Sequence, residues 1–216
     1  MTQQPADAPH HRRGRPGYDL DTLLLIAVRV FNQRGYDGTS MEDLAARLRI
    51  TKSAIYHHVS GKSELLRLAT DRALDALFAI LDEPETRNGR AIDRLEHVVR
   101  RSAQVLVAEL PYVTLLLRVR GNTPVERRAL SRRREFDTIV TDLVSQARDE
   151  GDIPADIDPS LVSRLLFGMV NSITEWYRPT RTLHADDLAD AVTRLAFTGL
   201  RTTNPNDPPT PRPALR

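Results

Sequence analysis

The chain contains no cysteine, only two lysines and few aromatic residues, which make up 5% of its 216 positions. Without cysteine it has no disulfide, no thiolate metal ligand and no thiol nucleophile. No apolar run approaches the roughly 20 residues that a transmembrane helix needs. A formal net charge of +2 gives no general signal for a nucleic-acid partner. The apolar fraction of 40% is nevertheless enough for a sizeable core, so the sequence predicts a globular protein.

Familiar catalytic motifs are absent as well. The sequence has no HExxH, Walker A, GxGxxG or GxSxG pattern. His97 and His184 are isolated, and carboxylates such as Asp93 and Glu96 have no evident partner. We therefore expect no enzyme activity, no cofactor and no metal site. The first residues, MTQQPADAPHHRRGRPG, lack the apolar segment of a signal peptide, so we expect a cytoplasmic protein with no membrane partner.

What the sequence does contain is helical periodicity along most of its length. Apolar residues recur at i, i+3, i+4 and i+7 from Leu20 to Phe31, and Gly35 ends that helix. No segment alternates as a strand would, so the fold class predicted is all-α. Thr39 and Glu42 have the spacing of a capping box for a second helix that ends near Arg49. The later helices are expected at 62–81, 91–110, 111–120, 124–150, 159–177 and 184–200, separated by segments rich in Gly, Pro and Asn.

A very short polar helix, from Thr51 to His58, follows the second helix almost without a loop. At about 100° per residue, Ala54, Ile55 and His58 fall on one half of it. The other half carries polar groups that suit phosphates and base edges. Such a helix is marginal alone and needs support from neighbouring helices, as in a helix-turn-helix. The exposed set is alternatively the ordinary solvent-facing side of a small bundle; it comprises Lys52, Ser53, Tyr56 and His57.

The segment TSMEDLAARLRITKSAIYHHVSGKSELL resembles the DNA-binding signature of the TetR family of bacterial transcriptional regulators. Two positions depart from the family pattern: Val59 replaces an aromatic residue, and Gly61 replaces a Ser or Asn cap. The resemblance implies an N-terminal three-helix DNA-binding domain, a larger C-terminal helical domain for ligand binding and dimerisation, and repression relieved by a small molecule. It places contacts to double-stranded operator DNA on Thr39, Thr51, Lys52, Ser53, Tyr56, His57 and Lys62.

These expectations divide the chain into four parts. Residues 18–64 form the helix-turn-helix domain, and residues 65–202 form the ligand-binding and dimerisation domain. Residues 1–17 are expected to be a disordered basic arm, and residues 203–216 a disordered tail. Arg12, Arg13 and Arg15 in the arm either follow the minor groove or belong to a generic basic tail.

The segment DPSLVSRLLFGMVNSITEWY is apolar over two adjacent faces. One face suffices for a core, so the second indicates a partner helix. Together with LADAVTRLAFTGL it predicts a two-fold four-helix interface and a homodimer. The alternative is a helix buried inside its own domain.

The C-terminal half resembles, more weakly, the TetR-like regulators of fatty-acid and sterol catabolism that sense acyl-CoA thioesters. Such a ligand needs an apolar tunnel and clustered arginines. A lipophilic cationic drug, which would require buried carboxylates such as Glu109 or Glu175, and a DNA-binding protein with no ligand remain alternatives. A large apolar cavity would favour a sensor over an architectural protein. The predicted ligand residues are Leu115, Arg118, Arg120, Phe136, Phe167, Asn171, Trp176 and Arg178, with Leu116 and Val170 in the tunnel wall.

Overall fold

A computed structural model describes residues 19–179 and 183–199. This part of the chain contains ten α-helices, one 3-10 turn and no strand, which confirms the all-α class. The predicted arm, with its three arginines, and the predicted tail lie outside the described residues. The helices are α1 Leu20–Arg34, α2 Met41–Leu48, α3 Lys52–Tyr56, α4 Lys62–Ala79, α5 Pro84–Arg87, α6 Ala91–Ala108, α7 Leu110–Arg118, α8 Pro124–Asp149, α9 Pro159–Trp176 and α10 Ala185–Phe197.

Side-chain caps fix the starts of the first helices. The Asp19 carboxylate accepts from the Thr22 amide at 2.7 Å and caps α1. The capping box of α2 is Ser40 with Asp43, so the prediction of Thr39 with Glu42 was wrong by one residue. Both pairs have the required spacing, and the sequence alone does not choose between them.

The short segment α5 and the 3-10 turn Ile80–Asp82 were not predicted. Their sequence, ILDEPETR, contains a proline, which predicts a break between helices. Pro84 instead occupies the first turn of α5, where a missing N–H costs nothing.

Two hydrophobic cores hold the helices together. The N-terminal core joins α1 to α4, and it also contains Tyr112, Leu115 and Leu116 from α7. The C-terminal core joins α6, α8, α9 and α10 around Phe136. Because α7 packs into the N-terminal core, the helix-turn-helix rests on an element that lies far from it in sequence.

Along α9, one face packs into the C-terminal core while another stays uncovered. Leu161, Leu165 and Trp176 are exposed, and Leu165 retains 63% of its surface. On α10, Leu195 is exposed in the same way. Among the described helices, none has the length and apolarity that crossing a bilayer would require.

Candidate nucleic-acid interface and ligand cavity

Helix α3 is held by one face and open on the other. Ile55, which the sequence predicted on the packed half, is fully buried, and Val59 is nearly so. Tyr56 exposes 52% of its surface, and Lys52, Ser53 and His57 are also exposed. His58 is exposed as well, so its assignment to the packed half was wrong. The Thr51 hydroxyl accepts from the Ala54 amide at 3.2 Å and caps the helix.

A surface ion pair ties α3 to α2. The Lys52 ammonium donates to the Glu42 carboxylate. This hydrogen bond is the main reason that the pKa of Glu42 is lowered and the pKa of Lys52 is raised. Both groups are therefore charged near neutral pH, and the ammonium stands on the exposed side of the helix pair.

Lys62 begins α4, and its ammonium faces the loop between α1 and α2. It donates to the Tyr36 carbonyl at 2.9 Å and lies 4.3 Å from the centre of the Tyr36 ring. The cation thereby fixes the loop, while an ammonium still has two further donors. Nearby, the Ser60 amide and hydroxyl both donate to Glu64, which lowers the pKa of Glu64 and ties the residue before the Gly61 cap to the first turn of α4.

Thr39 occupies a different position from the other six predicted DNA contacts. Its side chain is buried, and its hydroxyl donates to the Gly35 carbonyl at 2.8 Å. The hydroxyl therefore stabilises the α1–α2 turn and is not presented to solvent.

An apolar cavity of about 50 Å³ lies among α4, α6, α7, α8 and α9, so it is not the large cavity that would favour a sensor by size alone. Phe136, Phe167 and Asn171, predicted as ligand residues, all line it, as do Leu116 and Val170. Edge-to-face contacts join Phe136 to Phe167 and to Phe78 and fix the ring positions. The remaining lining residues are Ala73, Leu77, Ser102, Val105, Leu106, Val113, Leu117, Arg133 and Asp137.

Few polar groups reach this cavity. Ser102 is buried, and its hydroxyl has no hydrogen-bond partner among the described residues. Loss of hydration raises the pKa of Asp137, and the charge of Arg133 opposes that effect. Sequence reasoning missed these groups, although Arg133 and Asp137 lie within one turn of Phe136 on α8 and were thus within reach of a helical projection.

An open groove between α8 and α9 adjoins the cavity. The groove, of about 540 Å³, shares Arg133, Asp137, Phe167 and Asn171 with the cavity. It adds Arg134 and Arg164, so guanidinium groups from both helices line it, together with the carboxylates of Asp137 and Asp142. An apolar group in the cavity would therefore connect to an anionic group in the groove.

Other predicted ligand residues lie elsewhere. Leu115, Arg118 and Arg120 line a second groove of about 720 Å³ between α1 and α7. Trp176 is exposed, as is Arg178, which donates to the carbonyl of neighbouring Tyr177 at 2.8 Å. The predicted ligand residues thus fall into three separate places.

The two carboxylates predicted as partners of a cationic ligand lie away from the cavity. Glu109 is paired with Arg72, whose Nε donates to it at 2.7 Å. Glu175 is exposed on α9. Neither lines the apolar cavity, where Asp137 is the carboxylate present.

A group of residues of metal-ligand type occurs at the start of α5 and on α6. The ligand atoms of Glu83, Glu85 and His97 lie within 4.8 Å of one another. Arg101 already donates to both oxygens of Glu83, at 2.9 and 3.0 Å, and this bond is the main reason that the pKa of Glu83 is lowered. The arrangement is therefore that of an ion-pair network.

Two family models match the chain. Residues 23–69 match the model described as bacterial regulatory proteins, tetR family. Residues 88–200 match the model described as tetracyclin repressor-like, C-terminal domain. The matches cover both cores of the fold.

Known proteins resemble the chain over most of its length. The HTH-type transcriptional repressor KstR2 of Mycolicibacterium smegmatis is 24% identical over 194 residues, which are 86% of this chain and 92% of KstR2. SCO3833, a TetR-family regulator from Streptomyces coelicolor A3, is 60% identical with a TM-score of 0.80, over 84% of this chain and 92% of its own. AibR, solved with isovaleryl coenzyme A and operator DNA, is 25% identical with a TM-score of 0.69, over 82% and 97% of the two chains.

Proposed function

Because the chain belongs to the TetR family of transcriptional regulators, we propose that it is a repressor that binds a palindromic operator as a homodimer and is released by an acyl-CoA thioester. The DNA-binding part of the proposal is supported by the two different faces of α3. Its packed face is buried, while its other face presents Lys52, Ser53 and Tyr56 to solvent. A repressor acts on the chromosome, so we place its action in the cytoplasm.

The homodimer is supported by the exposed face of α9. Leu161, Leu165 and Trp176 recur there at helical spacing, with exposed Gly168 and Ser172 between them. Small residues let a second helix approach closely, and the apolar side chains flank that contact. A two-fold dimer would place two copies of α3 about 34–36 Å apart, one turn of DNA, which requires a palindromic site.

Operator binding is tested by selecting duplexes from a random pool and measuring their affinity by fluorescence anisotropy. Tyr56→Ala removes a base-capable side chain with little effect on packing, because Tyr56 is exposed. We expect it to weaken the selected duplex about tenfold or more, and random DNA much less. Arg87→Ala, on α5, is the matched control and should change neither. Equal affinity of the unmodified protein for selected and random duplexes would exclude sequence-specific binding.

Lys62→Ala separates a phosphate contact from a purely structural role. As a phosphate contact, Lys62 would contribute equally to the affinity for DNA of any sequence. Its loss would reduce the slope of log K against log salt by about 0.9 units. A loss of affinity with an unchanged slope would mean that Lys62 acts only by holding the Tyr36 loop.

The acyl-CoA part of the proposal is supported by the junction of cavity and groove. The cavity offers apolar contacts for an acyl group, and Arg133, Arg134 and Arg164 offer charge for the phosphates of coenzyme A. AibR, the neighbour solved with isovaleryl coenzyme A, supports the same ligand class.

The effector is tested by titrating the protein–DNA complex with acyl-CoAs, the free acids and cationic dyes. We expect release by a CoA thioester and not by its free acid. The double variant Arg134→Ala/Arg164→Ala should need at least tenfold more CoA ester, since two charge-assisted contacts are lost. Arg120→Ala, in the α1–α7 groove, is the comparison. The larger effect identifies the groove that holds the phosphates.

A lipophilic cation is the second candidate, and Asp137 at the cavity is the observation that favours it. A cation would pair with this carboxylate and would gain nothing from the surrounding arginines. Release by cationic dyes and not by any CoA ester would replace the acyl-CoA proposal. No release by any compound would favour a DNA-binding protein without a ligand.

A further inference from the structure

Ser102 stands apart from the other buried hydroxyl groups of the fold. It lies on α6, exposes 2% of its surface and lines the apolar cavity. Within the described residues, its Oγ has no hydrogen-bond partner. A buried hydroxyl without a partner is costly, because the water that it loses on folding is not replaced.

Comparable hydroxyls show that the fold can satisfy such a group locally. Thr70 on α4 donates to the Leu66 carbonyl at 2.9 Å, and Thr193 on α10 donates to the Ala189 carbonyl at 2.7 Å. Both acceptors lie four residues earlier on the same helix, which is the usual local solution. Ser102 does not make the corresponding bond to Val98. Its hydroxyl is therefore free to donate to a molecule in the cavity.

We propose that Ser102 binds the carbonyl oxygen of the effector's acyl group and so selects a thioester over a ligand that lacks this oxygen. This inference rests on the proposed acyl-CoA effector and names how that site recognises it. The Oγ–H donates and the carbonyl oxygen accepts. The acyl chain then lies against Phe136 and Phe167, and the coenzyme A part leaves past Arg133 and Asn171 into the α8–α9 groove.

The size of the cavity defines the acyl group. An apolar cavity of about 150 Å³ holds benzene, whereas this cavity measures about 50 Å³. Even a short acyl group therefore requires the lining side chains to move apart. A ring system of steroid size would have to separate α6, α7 and α8. The preferred effector is a short-chain acyl-CoA.

The recognition is tested with two ligands that differ by one oxygen. Isovaleryl-CoA carries the carbonyl, and the thioether S-isopentyl-CoA has the same carbon skeleton without it. Isothermal titration calorimetry on the unmodified full chain should give about tenfold weaker binding of the thioether, which corresponds to about 1.4 kcal/mol for one hydrogen bond. Ser102→Ala should bind both ligands equally, at the affinity of the thioether.

Thr193→Val is the matched control, because it removes a buried hydroxyl that already has a partner. It should keep the tenfold preference for the thioester. Ser102→Ala should also melt, without ligand, no lower than the unmodified protein, since it removes a hydroxyl that has no partner. A merely structural serine would instead lower the melting temperature and leave the ligand preference intact.

The outcomes separate the two proposals. If the unmodified protein binds thioester and thioether equally, the role of Ser102 is overturned while the acyl-CoA effector stands. That comparison needs no variant, so it holds even if Ser102→Ala fails to fold. If neither compound binds and long-chain or steroid CoA esters do, the short-chain assignment is overturned. If no CoA compound binds, the proposed effector and this inference both fail.

Discussion

Glu42 holds the ammonium of Lys52 on the side of α3 that would meet a phosphate backbone. Both side chains are at least half exposed, so the pair contributes little to folding. We expect its main effect to be on DNA binding, because Lys52 would have to leave Glu42 before it could contact DNA fully.

We expect Glu42→Gln to strengthen DNA binding roughly two- to fivefold, the range of an exposed ion pair. The variant frees Lys52 and removes a negative charge near DNA. Anisotropy titrations at two salt concentrations measure the change. Asp93→Asn, on the exposed side of α6, also removes one negative charge, but away from α3, and should leave the affinity for DNA unchanged. Weaker binding by Glu42→Gln would mean that the pair orients Lys52 for its contact.

At the residue scale, the sequence predicted which side of α3 is exposed better than it predicted which of the proposed ligand residues lie together. The positions on α3 follow from helical angles within one short segment, and they hold except for His58. The ligand residues depend on which helices meet, which local periodicity does not contain. Phe136 and Phe167 come together from α8 and α9, whereas Leu115 on α7 faces the N-terminal core. Both kinds of position are apolar in the sequence and cannot be separated there.

At the scale of elements, α7 lies between the apolar cavity and the N-terminal helices. Leu116 and Leu117 line the cavity. On the other side, Asn32 of α1 contacts both ends of α7: its Nδ2 donates to the Pro111 carbonyl at 2.7 Å, and its own carbonyl accepts from Arg118 at 2.7 Å. A ligand that displaces α7 would therefore move α1 directly.

We expect Asn32→Ala to weaken the coupling between effector and DNA. It removes the side-chain bond to α7 and also a buried Oδ1 that has no partner among the described residues. The ratio of operator affinities without and with isovaleryl-CoA should fall about fivefold, the worth of one hydrogen bond. Gln33→Ala, exposed beside it, should leave the ratio unchanged. An unaltered ratio in Asn32→Ala would place the coupling in another contact, such as that between α4 and α6.

The bounds of the long helices were predictable because apolar residues recur at helical spacing over several turns of each one. The predicted helix at 124–150 corresponds to α8, Pro124–Asp149, and the one at 159–177 to α9, Pro159–Trp176. The short elements were less accurate, since one capping residue or one proline decides them. Helix α3 was predicted at 51–58 and spans Lys52–Tyr56.

At the scale of the whole molecule, the exposed face of α9 is expected to set the oligomeric state. Leu165→Glu places a charge at its centre, and the high exposure of Leu165 means that the protomer should still fold. We expect a monomer by analytical ultracentrifugation and at least a hundredfold loss of affinity for a palindromic duplex, because one half-site remains. Leu20→Glu, at the start of α1, should remain a dimer. A dimer in Leu165→Glu would assign the interface to another surface.

The packing of α7 into the N-terminal core also limits how this regulator can be recombined. A chimera that joined residues 18–64 to a different sensor would lose Tyr112, Leu115 and Leu116, which complete the core beneath the reading helix. A break in the chain after residue 64 therefore cuts through the N-terminal core. A helix-turn-helix domain that is to be moved to another protein would have to be transferred together with the α7 residues that pack against it. In a natural lineage, the two segments should consequently be exchanged together or change in step.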